Sequence, residues 1–481
     1  MMIAMFRDQP RPFYMIFMLE IWERFGFYTV QGILVLYFIR FLGFDYQTAY
    51  YTFGAFSALV YGMVALGGYL GDWVLGTKRT IVLGLIVLAS GYLALALVDQ
   101  HAVFFALGLI CVGNGLFKAN PSNLLAKSYT EGDPRLHSGF TLYYMAINLG
   151  AIGALFAGPT LSSYYGYSYA YFVSFIGILL GLVNYWFQRQ HLVSINTPSD
   201  RRVIRMWQWG MVVVGIAAMA VASAYLLQHV MLTKNLLWVI TALVLGLYFF
   251  YMTREKRAVR MRMCVAFILM LEAVVFFTLY QQMPMSLNLF AVNNVHASLL
   301  SIHIDPQSFQ ALNSIWIIIM SPLLAMFYLY LNKRNIAFSV PYKFALGMTC
   351  SGIGFLSLYF CRYVHDANGM VSSIWLVVAY LFQSLGEVLV SALGVAMIAE
   401  LVPPKMAGFV MGIWFLTSSV AGFTGAWVAS YTALPNHVEP GVASLMLYTQ
   451  VFANIGCVTL AVALVLWLIS PGLSRLMQVD E

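Results

Sequence analysis

EIWERFGFYT, residues 20–29, lies inside an apolar run that extends from about Phe13 to Phe38. Two carboxylates and a guanidinium one turn apart are costly wherever the surroundings are hydrocarbon, so the reading of this stretch depends on what encloses it. The chain has 481 residues, 62% hydrophobic and 9% charged, whereas soluble domains carry about a quarter charged residues. Apolar segments of about 20 residues recur along nearly its whole length, each long enough to cross roughly 30 Å of hydrocarbon as a helix. The composition defines an all-α integral membrane protein with no room for a soluble domain.

Fourteen spans are expected, over residues 13–39, 48–70, 79–98, 102–126, 138–158, 168–187, 207–228, 235–252, 261–284, 308–330, 342–361, 372–399, 406–429 and 445–469. An even number places both termini on one side. With that side cytoplasmic, twenty of the 25 Lys and Arg residues fall at inner ends and loops, leaving Arg40, Lys234 and Arg362 outside and Arg24 and Lys118 within spans. That asymmetry obeys the positive-inside rule and accounts for the formal charge of +7 without nucleic-acid binding, since no loop is both long and basic enough for such a module. The first span lacks the short apolar core and small-residue cleavage site of a signal peptide, so it is expected to stay as a helix. Cys111, Cys264, Cys350, Cys361 and Cys457 form no CxxC pair; packing is their expected role, with no disulfide framework and no metal.

The spans divide into an N-terminal bundle of six over residues 1–190, a cytoplasmic linker with an accessory transmembrane hairpin over 191–260, and a C-terminal bundle of six over 261–481. The hairpin turns around QHVMLTKN and is followed by the basic run TREKRAVRMR. Its helices carry few polar residues, which sets them outside a core built from two repeats.

Ionisable groups at membrane depth are functional candidates by default. They are Glu20, Glu23, Arg24, Lys118, Glu272 and Glu387. At about 100° per residue, Glu20, Glu23, Arg24, Tyr28 and Gln31 share one broad face of the first helix, which must look into protein or water. The competing reading is a structural ion pair, Glu20 or Glu23 with Arg24 or Lys118. Close carboxylates facing cations also suit proton handling, because charge and burial set when each binds its proton. The chain has no GxxxxGK[ST], HExxH or GxSxG motif and no soluble domain to host one, so neither an ATP-driven pump nor an enzyme is expected. A gradient-driven carrier follows. An ion channel is the competing class, but rings or repeated filter segments are missing.

EIWERFGFY resembles the ExxERFxYY motif of the proton-dependent oligopeptide transporters, in the first helix as in that family. GGYLGDWVLGTKRTI is similar to the family's loop between helices two and three, and GNGLFKANPSNLLAKSY, DPRLHSGFTLYYMAINLG and SLGEVLVSALG continue the resemblance through the core. It covers essentially the whole chain, including two accessory helices common in bacterial members, and implies a major facilitator-like fold of two six-helix bundles plus two accessory helices.

The resemblance implies roles. Glu20, Glu23, Arg24 and Lys118 couple protons, and Arg24 and Lys118 face a peptide carboxylate supported by Tyr28, Tyr37 and Tyr61. Asn148, Asn313 and Glu387 hold the peptide amine with Tyr144 beside them, while Trp414 and Phe415 line the side-chain pocket. Dipeptides and tripeptides are zwitterions with variable middles, so opposite charges at the two ends read what is constant and an apolar pocket accommodates the rest. Two departures stand out: position 27 is Phe where a tyrosine is frequent, and Gln281 occupies a position at which many members carry an acid. Glu272, nine residues earlier, compensates or is structurally paired.

Asp72, Lys78 and Arg79 form a gating latch at the cytoplasmic end or anchor a loop, with Gly67, Gly68 and Gly76 allowing close helix approach. His101, His296, His303 and His365 fall in outer loops, away from a coupling role. The expected protein is a proton-coupled dipeptide and tripeptide symporter of a bacterial inner membrane, monomeric, needing no cofactor beyond the coupling proton. The alternatives are a related carrier of nitrate or a peptide-like drug, a channel, and a receptor or scaffold that binds peptide without moving it.

Overall fold

A backbone in hydrocarbon has no water to bond with, so each apolar run satisfies its own N–H and C=O groups by coiling into a helix. The computed structural model describes residues 2–97, 100, 102–130, 132–193, 195, 199–299, 301–334, 338–435 and 439–477. Fourteen long helices stand in order among these residues: α1 Arg11–Arg40, α2 Tyr46–Tyr69, α3 Thr77–Leu97, α4 Val103–Lys118, α5 Arg135–Tyr165, α6 Tyr167–Gln188, α7 Met206–Gln228, α8 Val230–Thr253, α9 Arg257–Tyr280, α10 Ala311–Lys333, α11 Val340–Ser357, α12 Ile374–Leu401, α13 Ala407–Ser430 and α14 Val442–Met477. They match the fourteen expected spans one for one. Thirteen helical segments are long and apolar enough to cross a membrane by composition. The fourteenth, α1, is 30 residues long, about 45 Å at 1.5 Å per residue, and is set apart by Glu20, Glu23 and Arg24.

The chain divides into two compact units. One comprises Met1–Gly43 and Ala55–Thr233, the other Phe44–Gly54 and Lys234–Glu481. The first turns of α2 thus belong to the second unit, where Tyr50 Oη lies 3.1 Å from Thr432 Oγ1 and Asn293 Nδ2 donates to Tyr46 Oη (3.2 Å) and Tyr448 Oη (3.1 Å). The two helices of the inserted hairpin also part company. Within the first unit α7 seals Val87, Val112 and Leu116 with Ile216 and Ala220, while nearly all of α8 lies in the second, where the Tyr248 hydroxyl donates to the Met263 carbonyl at 2.8 Å.

Close helix approach in the first unit rests on particular glycines. A Cβ on Gly67 would lie 1.9 Å from the Gly115 carbonyl oxygen, so α2 and α4 touch backbone to backbone; Gly68 is not needed for that, its Cβ meeting Ala119 at an ordinary 3.7 Å. Gly76 serves a turn instead, with φ at +88° and Asp200 packed where a Cβ would go. Gly150 of α5 bears directly on the charged stretch, since a Cβ there would fall 2.6 Å from the Ile21 carbonyl oxygen and 2.9 Å from Arg24 Cβ.

In the second unit a two-stranded hairpin, β1 Ser298–Leu299 with β2 Ile302–His303, pairs Ser298 with His303. Asn294 Nδ2 ties the neighbouring loops by donating to the carbonyls of Gly369 (3.0 Å) and Gly441 (2.9 Å).

Candidate functional site

The tight seat of Gly150 against α1 holds the charged turn inside the first unit, where Glu20, Glu23 and Arg24 are all buried. Their i, i+3, i+4 spacing brings the three side chains together. Arg24 Nε lies 3.3 Å from Glu20 Oε1 and donates to Glu23 Oε2 at 2.5 Å, with Nη2 also paired to that oxygen. Each carboxylate has one further partner from another helix: the Tyr143 hydroxyl donates to Glu20 Oε2 at 2.7 Å, and Asn114 Nδ2 donates to Glu23 Oε1 at 3.0 Å. Phe27 uses its bare ring, whose centroid is 5.1 Å from the guanidinium carbon. The sequence pointed to Tyr144 and missed Tyr143; Asn114 was detectable, being one turn before Lys118 on the same face of α4.

Lys118 is placed differently from Arg24. Its ammonium lies 3.8 Å from the centre of the Tyr61 ring, and among the described residues it enters no ion pair, whereas Arg24 takes both carboxylates. The four charges cancel when all are ionised. Protonating either glutamate therefore leaves an excess positive charge in a buried site.

The remaining candidates of this unit are spread out. Tyr28 is half-buried one turn beyond Arg24, edge-on to Phe27 at 5.5 Å. Tyr37 is not brought to the cluster: thirteen residues past Arg24, about 20 Å along the helix, it packs among Phe41, Tyr167 and Tyr171. Asn148, buried on α5, donates to the Tyr144 carbonyl at 2.9 Å.

In the second unit Asn313 of α10 holds Glu387 of α12. Its Nδ2 donates to Glu387 Oε2 at 2.8 Å and to Ser384 Oγ at 3.1 Å. Glu387 is half-buried, so its carboxylate is oriented yet still reachable. Trp414 is buried edge-on to Phe277 at 5.8 Å and lies over Gly394, where any Cβ would strike the indole; Phe415 is the more open of the two. Gln281 is buried against Gly425 of α13. Glu272 is 4% exposed, and among the described residues neither of its oxygens has a hydrogen-bond partner and the structural pairing considered for it is not formed.

The loop after α2 opens in a single π turn, Leu70–Val74. Asp72 accepts from Asn123 Nδ2 at 3.0 Å, and its carbonyl accepts from Ser199 Oγ at 2.5 Å. Lys78 Nζ donates to the Leu192 carbonyl (2.7 Å) and Arg79 Nη1 to the Arg202 carbonyl (2.9 Å). The linker thus straps this loop, a long-range contact that sequence spacing does not encode. Among the described residues no group of three or more His, Cys, Asp or Glu could hold a metal. His296 lies 3.5 Å from Asp366, and His101 lies outside the described residues.

Long apolar helices in two units, each carrying an oriented ionisable side chain within a span, define a secondary transporter rather than an enzyme. The chain belongs to the POT family, whose model matches residues 78–446. It is 46% identical to dipeptide and tripeptide permease B of Aliivibrio fischeri (strain MJ11), covering 98% of this chain and 96% of that one. It is also 46% identical to dipeptide and tripeptide permease A of Chromobacterium violaceum, covering 98% and 95%. Among solved structures it is similar to a bacterial homologue of the human drug peptide transporters PepT1 and PepT2, with a TM-score of 0.86 and 34% identity over 97% of this chain and 99% of that one. A peptide transporter POT in complex with sulfate gives a TM-score of 0.85 at 29% identity, over 98% and 96%.

Proposed function

We propose that this protein is a proton-coupled symporter that imports dipeptides and tripeptides by alternating access across a bacterial inner membrane, as a monomer with both termini cytoplasmic. The observation that carries the proposal is the unequal state of the two cations: Arg24 is paired with both carboxylates, while among the described residues the half-buried Lys118 enters no ion pair and its ammonium lies over the Tyr61 ring. Lys118 is then the ready partner for a peptide carboxylate. A proton taken up by Glu20 or Glu23 loosens Arg24 and leaves net positive charge, which favours that carboxylate further. No cofactor is needed beyond the proton.

The peptide ammonium goes to Glu387, whose carboxylate Asn313 presents, with Asn148 and Tyr144 supporting it. Trp414 and Phe415 border the side-chain space, Tyr28 and Tyr61 flank the carboxylate end, and Tyr37 acts through packing. Residues 1–190 and 261–481 serve as the moving bundles and 191–260 as linker and accessory hairpin. Asp72, Lys78 and Arg79, strapped by the linker, form the latch that changes partners as the transporter cycles. Glu387 favours peptide over nitrate, since an anion gains nothing from a carboxylate.

The test is uptake of labelled dialanine into proteoliposomes with and without an inward proton gradient. Accumulation only with the gradient supports coupling; uptake unaffected by the gradient or by collapse of the membrane potential overturns it.

A further inference from the structure

Glu272 lies midway along the span of residues 261–284, about 17 Å from either end at 1.5 Å per residue. It is 4% exposed, and both carboxyl oxygens are buried with no hydrogen-bond partner among the described residues. Helices α11, α12, α13 and α14 pack against α9. The charged residues on these helices are Lys343, Glu387, Glu400 and Arg475, and among the described residues none of them forms a hydrogen bond or ion pair with Glu272. In such surroundings an ionised carboxylate is the expensive state, and the protonated acid is the form that can stay.

Phe276, one turn along α9 on the same face, is the ring nearest Gly386: a Cβ on Gly386 would lie 3.4 Å from Phe276 Cε2 and 2.4 Å from Ser351 Oγ. Ser351 Oγ and Gln383 Oε1 are likewise buried and unpartnered, and Gly386 adjoins Glu387 in sequence. Within the second unit Phe276, one turn from Glu272, thus reaches Gly386, against which Ser351 Oγ also lies. Ordinary structural carboxyls are hydrogen-bonded when buried; this one has no hydrogen-bond partner among the described residues.

We infer that Glu272 is a proton-binding site of the C-terminal unit, separate from Glu20 and Glu23, that takes a proton from water on one side and releases it on the other during the transport cycle. No bond other than O–H forms or breaks: the carboxylate accepts the proton from water reaching it past Phe276 and returns it to water when the helices part. The inference rests on the proton-coupled reading above.

The experiment uses the full-length protein in proteoliposomes and compares wild type with Glu272→Gln, which keeps shape and burial but cannot release a proton. At zero membrane potential each pH unit of gradient sustains about tenfold accumulation per coupled proton. Dialanine accumulation by Glu272→Gln should therefore fall about tenfold per pH unit, protons moved per peptide should drop, and gradient-free counterflow should survive. Glu272→Asp, which retains a carboxyl, should recover part of the driven uptake with a displaced pH profile. Should Glu272→Gln fail to fold, the Glu272→Asp profile decides, and an unchanged one overturns the inference. Unchanged accumulation and proton count in a folded Glu272→Gln also overturn it. Gradient-insensitive uptake by wild type would instead remove the coupling reading itself.

Discussion

Lys118→Gln and Arg24→Gln remove one cation each, yet the structure gives them opposite consequences. Lys118 enters no ion pair among the described residues and lies over the Tyr61 ring at 3.8 Å. Its loss breaks no ion pair among the described residues and removes a cation–π contact, about 0.5–2 kcal/mol. What disappears is the charge awaiting the peptide carboxylate. A hydrogen bond to a charged group contributes about 1.5–3 kcal/mol, which corresponds to a loss of roughly 10–150-fold in peptide affinity. Arg24→Gln instead leaves Glu20 and Glu23 without the guanidinium that pairs both, and breaking a buried pair in this way costs about 3–5 kcal/mol. The assay is paired: binding of labelled dialanine to the purified protein and thermal unfolding of each variant in the same detergent. Lys118→Gln should bind far more weakly and unfold near the wild-type temperature, while Arg24→Gln should unfold markedly earlier. Equal destabilisation of the two, or retained affinity in Lys118→Gln, would refute the division of labour.

Glu20→Gln and Glu23→Gln should each depress gradient-driven uptake while peptide counterflow persists, and unchanged driven uptake would make both purely structural. Gly150→Ala places a methyl 2.6 Å from the Ile21 carbonyl oxygen; overpacking of this kind costs about 1–3 kcal/mol, so thermal stability should fall and dialanine affinity with it, because Arg24 moves. Gly76→Ala meets both a φ of +88° and Asp200, and should speed proteolysis of the linker around Ser199 relative to wild type; an unchanged cleavage rate would remove the strap from the account.

The helices were legible because burial in lipid demands long apolar runs, and each run is bounded by charge, Pro or Gly. The face shared by Glu20, Glu23 and Arg24 was legible for a related reason: it is set by helical pitch alone. What the pitch does not determine is which neighbour arrives. Tyr143 and Asn114 reach the two glutamates from α5 and α4, and their registers depend on glycine contacts such as Gly67 with Gly115 and Gly150 with Ile21. The docking of Ser199, Asp200 and Arg202 onto the loop around Gly76 spans more than a hundred residues and leaves no local pattern. The same limit applies to Tyr37, whose position on α1 is clear from sequence but whose partners Tyr167 and Tyr171 come from α6. Nor does any periodicity tell a paired buried carboxyl from an unpaired one, which is why Glu272 looked ambiguous until its neighbours were known.

The central claim is that Lys118 and Glu387 read the opposite ends of a zwitterionic peptide. It is tested most directly by competition against labelled dialanine uptake, using dialanine, its N-acetylated form and its C-terminal amide, on wild type, Lys118→Gln and Glu387→Gln. Wild type should reject both blocked peptides; Lys118→Gln should lose its discrimination against the amide alone, and Glu387→Gln its discrimination against the acetylated peptide alone. Blocked peptides competing as well as dialanine on the wild-type protein would contradict the account.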